Sequence, residues 1–127
     1  YGFENKEPIW GNNFYKALIN SKMGLNLSRG LPTKYYSSNR IASLMGNGLL
    51  TFIDHKTQMS DFFSNDEIIT YDSIADLSEK ILFYKKNDLL RKKIASNGRK
   101  KYFKLFNELK VTKYILEKSF GKDVNIT

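Results

Sequence analysis

The stretch Ser37-Ser38-Asn39-Arg40-Ile41-Ala42-Ser43-Leu44-Met45-Gly46-Asn47-Gly48-Leu49-Leu50-Thr51-Phe52-Ile53-Asp54 decides how this chain folds. Ser37, Ser38 and Asn39 are residue types that cap a helix start, because a short side-chain oxygen accepts from an unsatisfied first-turn N–H. Ile41, Leu44 and Met45 follow at the spacing of one helical face until Gly46 and Gly48 end the helix. The apolar run Leu49 to Ile53 then closes on Asp54. A run without polar alternation suits a strand buried on both faces of a parallel sheet.

The same pattern extends in both directions. Upstream, Met23, Leu25 and Leu27 alternate as in a strand, and Phe14, Tyr15, Leu18 and Ile19 recur at helical spacing from Asn12 to about Ser21, with Asn12 or Asn13 as N-cap. Tyr1 to Gly11, with Pro8 and two glycines, reads as an irregular lead-in. Downstream, Thr57 to Phe63 predicts a helical turn and Glu67 to Tyr71 a third strand. Ser73 and Asp76 make a capping box for a helix bearing Ile74, Leu77, Ile81 and Tyr84 on one face. Asn87 caps a further helix with Leu90, Ile94, Tyr102 and Phe106, where Gly98 is expected to break or bend it. A last helix from about Asn107 carries Leu109, Ile115, Leu116 and Phe120, stops at Gly121 and leaves a loose tail to Thr127. Strands alternating with helices predict an α/β fold: a Rossmann-like three-layer parallel sheet with helices on both faces, right-handed crossovers and C-terminal helices.

With 127 residues, 41% of them hydrophobic and 14% aromatic, the chain can bury a core as one domain, 1–127. No cysteine is present, which excludes disulfides and thiol chemistry and makes the cytoplasm the expected compartment. Against 13 Asp and Glu stand 21 Lys and Arg, a net charge of +8 that implies an anionic partner. Nucleic acid, an anionic membrane surface and a phosphorylated small molecule all satisfy that sign. No apolar run approaches the roughly 20 residues that span a bilayer, so any membrane contact is expected to be peripheral. The chain opens on Tyr1 without a basic and apolar leader, and reads as excised from a longer protein.

Open parallel sheets bind ligands beyond the carboxyl ends of their strands. That rule selects two loops, Ser28 to Arg40 and Asp54 to Thr57. The first carries Arg29, Lys34, Tyr35 and Tyr36 and enters a helix headed by Ser38, Asn39 and Arg40, a chemically reasonable diphosphate cradle. Helix caps and a solvated arginine explain the same residues. Gly46 and Gly48 serve equally as a C-cap with a tight turn or as room for a ligand. His55, the sole histidine, is placed for a general base or a ligand contact, or is simply solvated. It has no second histidine nearby, and Asp54 and Asp61 lack chelate spacing, so no metal is expected. Lysines and arginines from Lys85 to Lys104 crowd the last helices around Tyr84, Tyr102 and Phe103, either as a face for nucleic acid or lipid headgroups or as the solvated side of core-packed helices.

The segment Ser38 to Leu50 resembles the group 1 glycosyltransferase C-terminal domain, in the variant with a CgeB-like architecture. The likeness extends to Ile9-Trp10-Gly11, Phe14-Tyr15 and Ser21 to Asn26 upstream, and from Tyr71-Asp72-Ser73 to Ile94-Ala95-Ser96-Asn97-Gly98-Arg99 downstream. It implies the nucleotide-sugar-binding half of a two-domain GT-B enzyme, with the other half of the parent protein absent from this chain. It implies transfer of a glycosyl group from a nucleoside-diphosphate sugar, which is donor substrate rather than cofactor, without a bound metal. Ser38, Asn39 and Arg40 would face the donor diphosphate and Gly48 would match a family glycine. Ser43 stands where many relatives carry a glutamate, and its hydroxyl cannot accept the bidentate pair a carboxylate accepts. Loops and resemblance together give a donor-binding set of Arg29, Lys34, Tyr36, Ser38, Asn39, Arg40, Ser43, Gly48 and His55, with the catalytic base unassigned. The partner expected is a nucleotide-sugar and not nucleic acid, in a bacterial cytoplasm extending to the inner-membrane periphery. The Met23 to Leu27 strand is expected at an exposed sheet edge, where it pairs with a second copy. The competing reading is a non-catalytic Rossmann-like module that binds RNA or lipid headgroups through its basic helices.

Overall fold

The computed structural model describes residues 6–28 and 30–122. In chain order it contains α1 (Gly11–Ile19), β1 (Met23–Asn26), α2 (Arg40–Gly46), β2 (Leu50–Asp54), two 3₁₀ turns (His55–Thr57 and Met59–Asp61), β3 (Ile69–Tyr71), α3 (Ile74–Lys86), α4 (Asp88–Leu105) and α5 (Glu108–Ser119). The three strands form one parallel sheet in the order β1-β2-β3, with Met23 opposite Leu50 and Phe52 opposite Ile69. This is the expected α/β, Rossmann-like arrangement, and β1 does lie at an edge.

The central strand is buried throughout: Leu50, Thr51, Phe52 and Ile53 are at most 1% exposed. Side chains alternate across it, because successive Cβ atoms point to opposite faces. Leu50 and Phe52 join Ile69, Tyr71, Leu77, Ile94 and Ala95 in a core under α3 and the first half of α4. Ile53 joins Ile41, Met45, Met59, Phe63 and Ile68 under α2, with Tyr102, Leu105 and Phe106 from the second half of α4. Helices therefore cover both faces. On the α2 face the close approach needs Gly24, since a Cβ there would collide with the Leu44 side chain.

α4 passes along the edge where the strands begin. Arg91 donates from Nη1 to the Lys22 carbonyl at 3.1 Å, ahead of β1. Gly98 lies against the Glu67 carbonyl ahead of β3, and Arg99 lies beside Gly48 ahead of β2. The helix is continuous through Gly98. A break does not occur there, and the glycine serves the close packing of the helix against the Glu67 carbonyl.

Two expected caps also differ. α1 starts at Gly11, whose φ of +54° turns the chain into the helix, so Asn12 and Asn13 lie inside it. Asn87 makes no capping bond to α4 and instead donates from Nδ2 to the Phe83 carbonyl, closing the end of α3. The Ser73 cap holds: its Oγ accepts from the Asp76 N–H at 3.1 Å, and Asp76 accepts from the Asp72 N–H at 3.0 Å. Asn107 caps α5 by accepting from the Lys110 N–H. The first residues of the expected lead-in and most of the tail lie outside the described residues.

Candidate functional site

The carboxyl ends of β1, β2 and β3 are Asn26, Asp54 and Tyr71. The two loops selected from sequence leave from the first two, and side chains join all three ends. Asn26 is 2% exposed and its Oδ1 accepts from the Ser38 hydroxyl at 2.9 Å. Ser38 Oγ in turn accepts from the Arg40 N–H at 3.3 Å. The Arg40 guanidinium reaches back to donate from Nη1 to the Leu27 carbonyl at 3.3 Å. None of the described carboxylates pairs with it. Among the described residues its charge is left without a carboxylate partner, and a guanidinium so placed is suited to an anion.

The other loop is fastened as firmly. Asp54 accepts from the Lys56 N–H at 2.9 Å and the Thr57 hydroxyl donates to the Asp54 carbonyl at 2.7 Å. Tyr35 ties the first loop to this turn, its N–H donating to the Thr57 carbonyl and its hydroxyl to Asp61, each at 2.7 Å. Its ring meets Phe62 edge-on at 5.0 Å. Tyr35 has a φ of +60° and Gln58 of +53°, left-handed conformations that cost a side-chain-bearing residue about 1 kcal/mol or more and persist only where surroundings impose them. Both strained positions lie where the two loops meet.

His55 Nδ1 lies 2.5 Å from Asp72 Oδ1 and 3.9 Å from Asp54 Oδ1, which connects the ends of β2 and β3. An Nδ1–H directed at Asp72 leaves Nε2 as the acceptor nitrogen. Beside it, burial pushes the Tyr71 phenol up, and the Asp54 carboxylate adds to the shift. Among the described residues no three Asp, Glu, His or Cys side chains converge as a metal site.

Of the residues named from sequence, Ser38 and Arg40 are bonded to the end of β1 and the residue after it, Asn39 lies between them, and His55 follows β2 and contacts Asp72 after β3. Asn39 is exposed and holds the N-cap position with its backbone alone, without a side-chain capping bond. Lys34 Nζ lies 4.8 Å above the Tyr35 ring, and the Tyr36 N–H donates to the Thr33 carbonyl. Ser43 is half-buried one turn after Arg40, and its carbonyl accepts from Asn47 Nδ2. Gly48, with φ +72°, lies at the opposite edge beside Arg99 and is not part of this cluster. Arg29 lies outside the described residues. Two contributors were not foreseen: Asn26, detectable as a polar residue closing an apolar strand, and Asp72, which no local pattern marks.

α2 has seven residues, so its dipole is short and the positive character of the corner rests on Arg40. The arrangement suits a ligand that is anionic on one side, toward Arg40, and offers hydrogen-bonding groups toward His55. A family model described as glycosyl transferase-like matches residues 2–116. No curated protein and no solved structure matches the chain.

Proposed function

Because the chain belongs to the glycosyl transferase-like family, we propose that it is the donor-binding domain of a GT-B glycosyltransferase, which moves a glycosyl group from a nucleoside-diphosphate sugar to an acceptor. The observation that carries this reading is the Arg40 guanidinium, held at the carboxyl edge of the sheet by a backbone carbonyl and by none of the described carboxylates. A diphosphate there gains charge-assisted hydrogen bonds from Arg40. The same contact strengthens as negative charge builds on the leaving nucleoside diphosphate, which favours the transition state over the ground state. In this reading the reaction needs no bound metal, since cationic side chains offset that charge. His55, steered by Asp72, meets the sugar or its phosphates through Nε2. Ser43, one turn along α2, hydrogen-bonds a donor hydroxyl. The acceptor-binding half and the catalytic base belong to a parent protein of which this chain is one part.

Titration calorimetry with a panel of nucleoside diphosphates tests the proposal. We expect saturable binding to one of them, weakened about 10- to 150-fold by Arg40→Ala, the equivalent of about 1.5–3 kcal/mol for a hydrogen bond to a charged group. Absence of binding across the panel, or binding unaffected by Arg40→Ala, overturns it.

A further inference from the structure

α5 exposes its apolar side chains instead of burying them. Leu109, Leu116 and Phe120 recur at i, i+7 and i+11, which places them in one narrow stripe at 100° per residue. They are 78%, 52% and 78% exposed, and no residue of α5 is buried. Ile115, 56% exposed, lies about a third of a turn away from the stripe. Lys113 borders the stripe and faces Glu117 at 3.8 Å, Lys110 lies about a quarter-turn away, and Lys118 lies on the opposite side of the helix. Its first turn opens into a cleft of about 260 Å³ lined by Lys110, by Lys101 and Lys104 of α4, by Phe62 and Phe106, and by a single carboxylate, Asp61. A second cleft, of about 320 Å³, shares Lys101 and Lys104 and adds Lys100, Asn97 and one carboxylate, Glu67. None of the described carboxylates pairs with Lys100, Lys101, Lys104 or Lys110. From Leu89 to Asn107 the chain has no acidic residue.

We propose that α5 and the lysines at its root form a docking surface for an anionic lipid bilayer. An apolar stripe with a lysine cluster at its root matches the interface of such a membrane, whose acyl boundary takes the hydrocarbon side chains while its phosphates face the ammonium groups. Charge complementarity sets the sign of the lipid. The side-chain types favour a bilayer over nucleic acid: the open apolar residues of α5 are aliphatic except Phe120, and single-stranded nucleic acid is held by stacking on aromatic rings. No helix among the described residues is long and apolar enough to cross a membrane, so α5 lies in the interface plane.

Cosedimentation with vesicles of phosphatidylglycerol and phosphatidylcholine, and with phosphatidylcholine alone, tests this for the 127-residue chain. Binding is expected to the anionic vesicles only. Leu109→Ser/Leu116→Ser/Phe120→Ser should weaken it about 50-fold, taking half of full burial for three side chains, at an unchanged melting temperature. Lys101→Gln, Lys104→Gln and Lys110→Gln should each weaken it about fivefold. Failure to bind anionic vesicles, or binding that the triple serine variant leaves intact, overturns the proposal. So does sedimentation equilibrium showing a dimer that the same variant dissociates, or single-stranded RNA binding tighter than the vesicles.

Discussion

Replacing Gly98 with alanine should destabilise the domain although alanine is the better helix former. Within α4 the change gains about 1 kcal/mol of helix propensity. Against this, the new Cβ collides with the Glu67 carbonyl oxygen and approaches Met45 Cε to 3.0 Å. The methionine end can move, but the carbonyl cannot. It immediately precedes Ile68 and Ile69, which are 1% and 6% exposed in the two cores. α4 must therefore retreat along the strand-start edge and loosen Ile94, Ala95 and the Arg91 bond to Lys22. Overpacking against a fixed obstacle costs about 3 kcal/mol, so the net loss is about 2 kcal/mol. At this chain length that corresponds to a fall in Tm of about 8 °C. Urea unfolding should show the same loss with an unchanged m-value. Ser96→Ala, on the exposed side of the same helix, should instead raise stability by about 0.5 kcal/mol. If Gly98→Ala melts at or above the temperature of the unaltered protein, α4 does not pass against the Glu67 carbonyl.

Two further predictions concern pH. Hydrogen bonds from Lys92 and then Arg91 hold the Asp88 carboxyl at about 2, against an ordinary 3.8, so its stabilising contribution is present above pH 3.8 and is lost as pH falls toward 2. Thermal melts of Asp88→Asn should lack the part of the acid-induced decline that this carboxyl causes, and identical slopes for both proteins refute the assignment. At the alkaline end, burial pushes up the phenols of Tyr71, Tyr84 and Tyr102. Stability that is complete below the ordinary tyrosine value of 10.0 is lost as pH rises past it, because the folded state retains protons that the unfolded state releases. Near-ultraviolet phenolate absorbance should show these three tyrosines ionising above 10.0, together with unfolding.

Local residue patterns specify the elements, whereas contacts between distant residues build the site. The run Leu49 to Ile53 and the triplet Ile41, Leu44, Met45 carry their burial in their spacing, and the Ser73 cap is complete within four residues. Asn12 misled because a glycine φ, not a side chain, starts α1. Gly98 is visible as a glycine in a helix, but its reason lies on Glu67, in the turn ahead of β3. Arg40 was legible as a cation at a loop-to-helix junction. Its orientation follows from Leu27 and from the bond between Ser38 and Asn26, neither of which has a periodic signature. The approach of His55 to Asp72 depends on β2 and β3 lying side by side, and the segregation of Gly48 from Arg40 depends on α2 running back against the strands. Two-dimensional patterning cannot give either one.

Because α4 contributes Ile94 and Ala95 to one core and Tyr102, Leu105 and Phe106 to the other, it acts as a shared girder. Neither helical layer can peel from the sheet while this member stays in place, and removing it opens both hydrophobic compartments together. The two halves of the sandwich are thereby obliged to melt as a single cooperative unit, while α5, outside both compartments, is free to fray on its own.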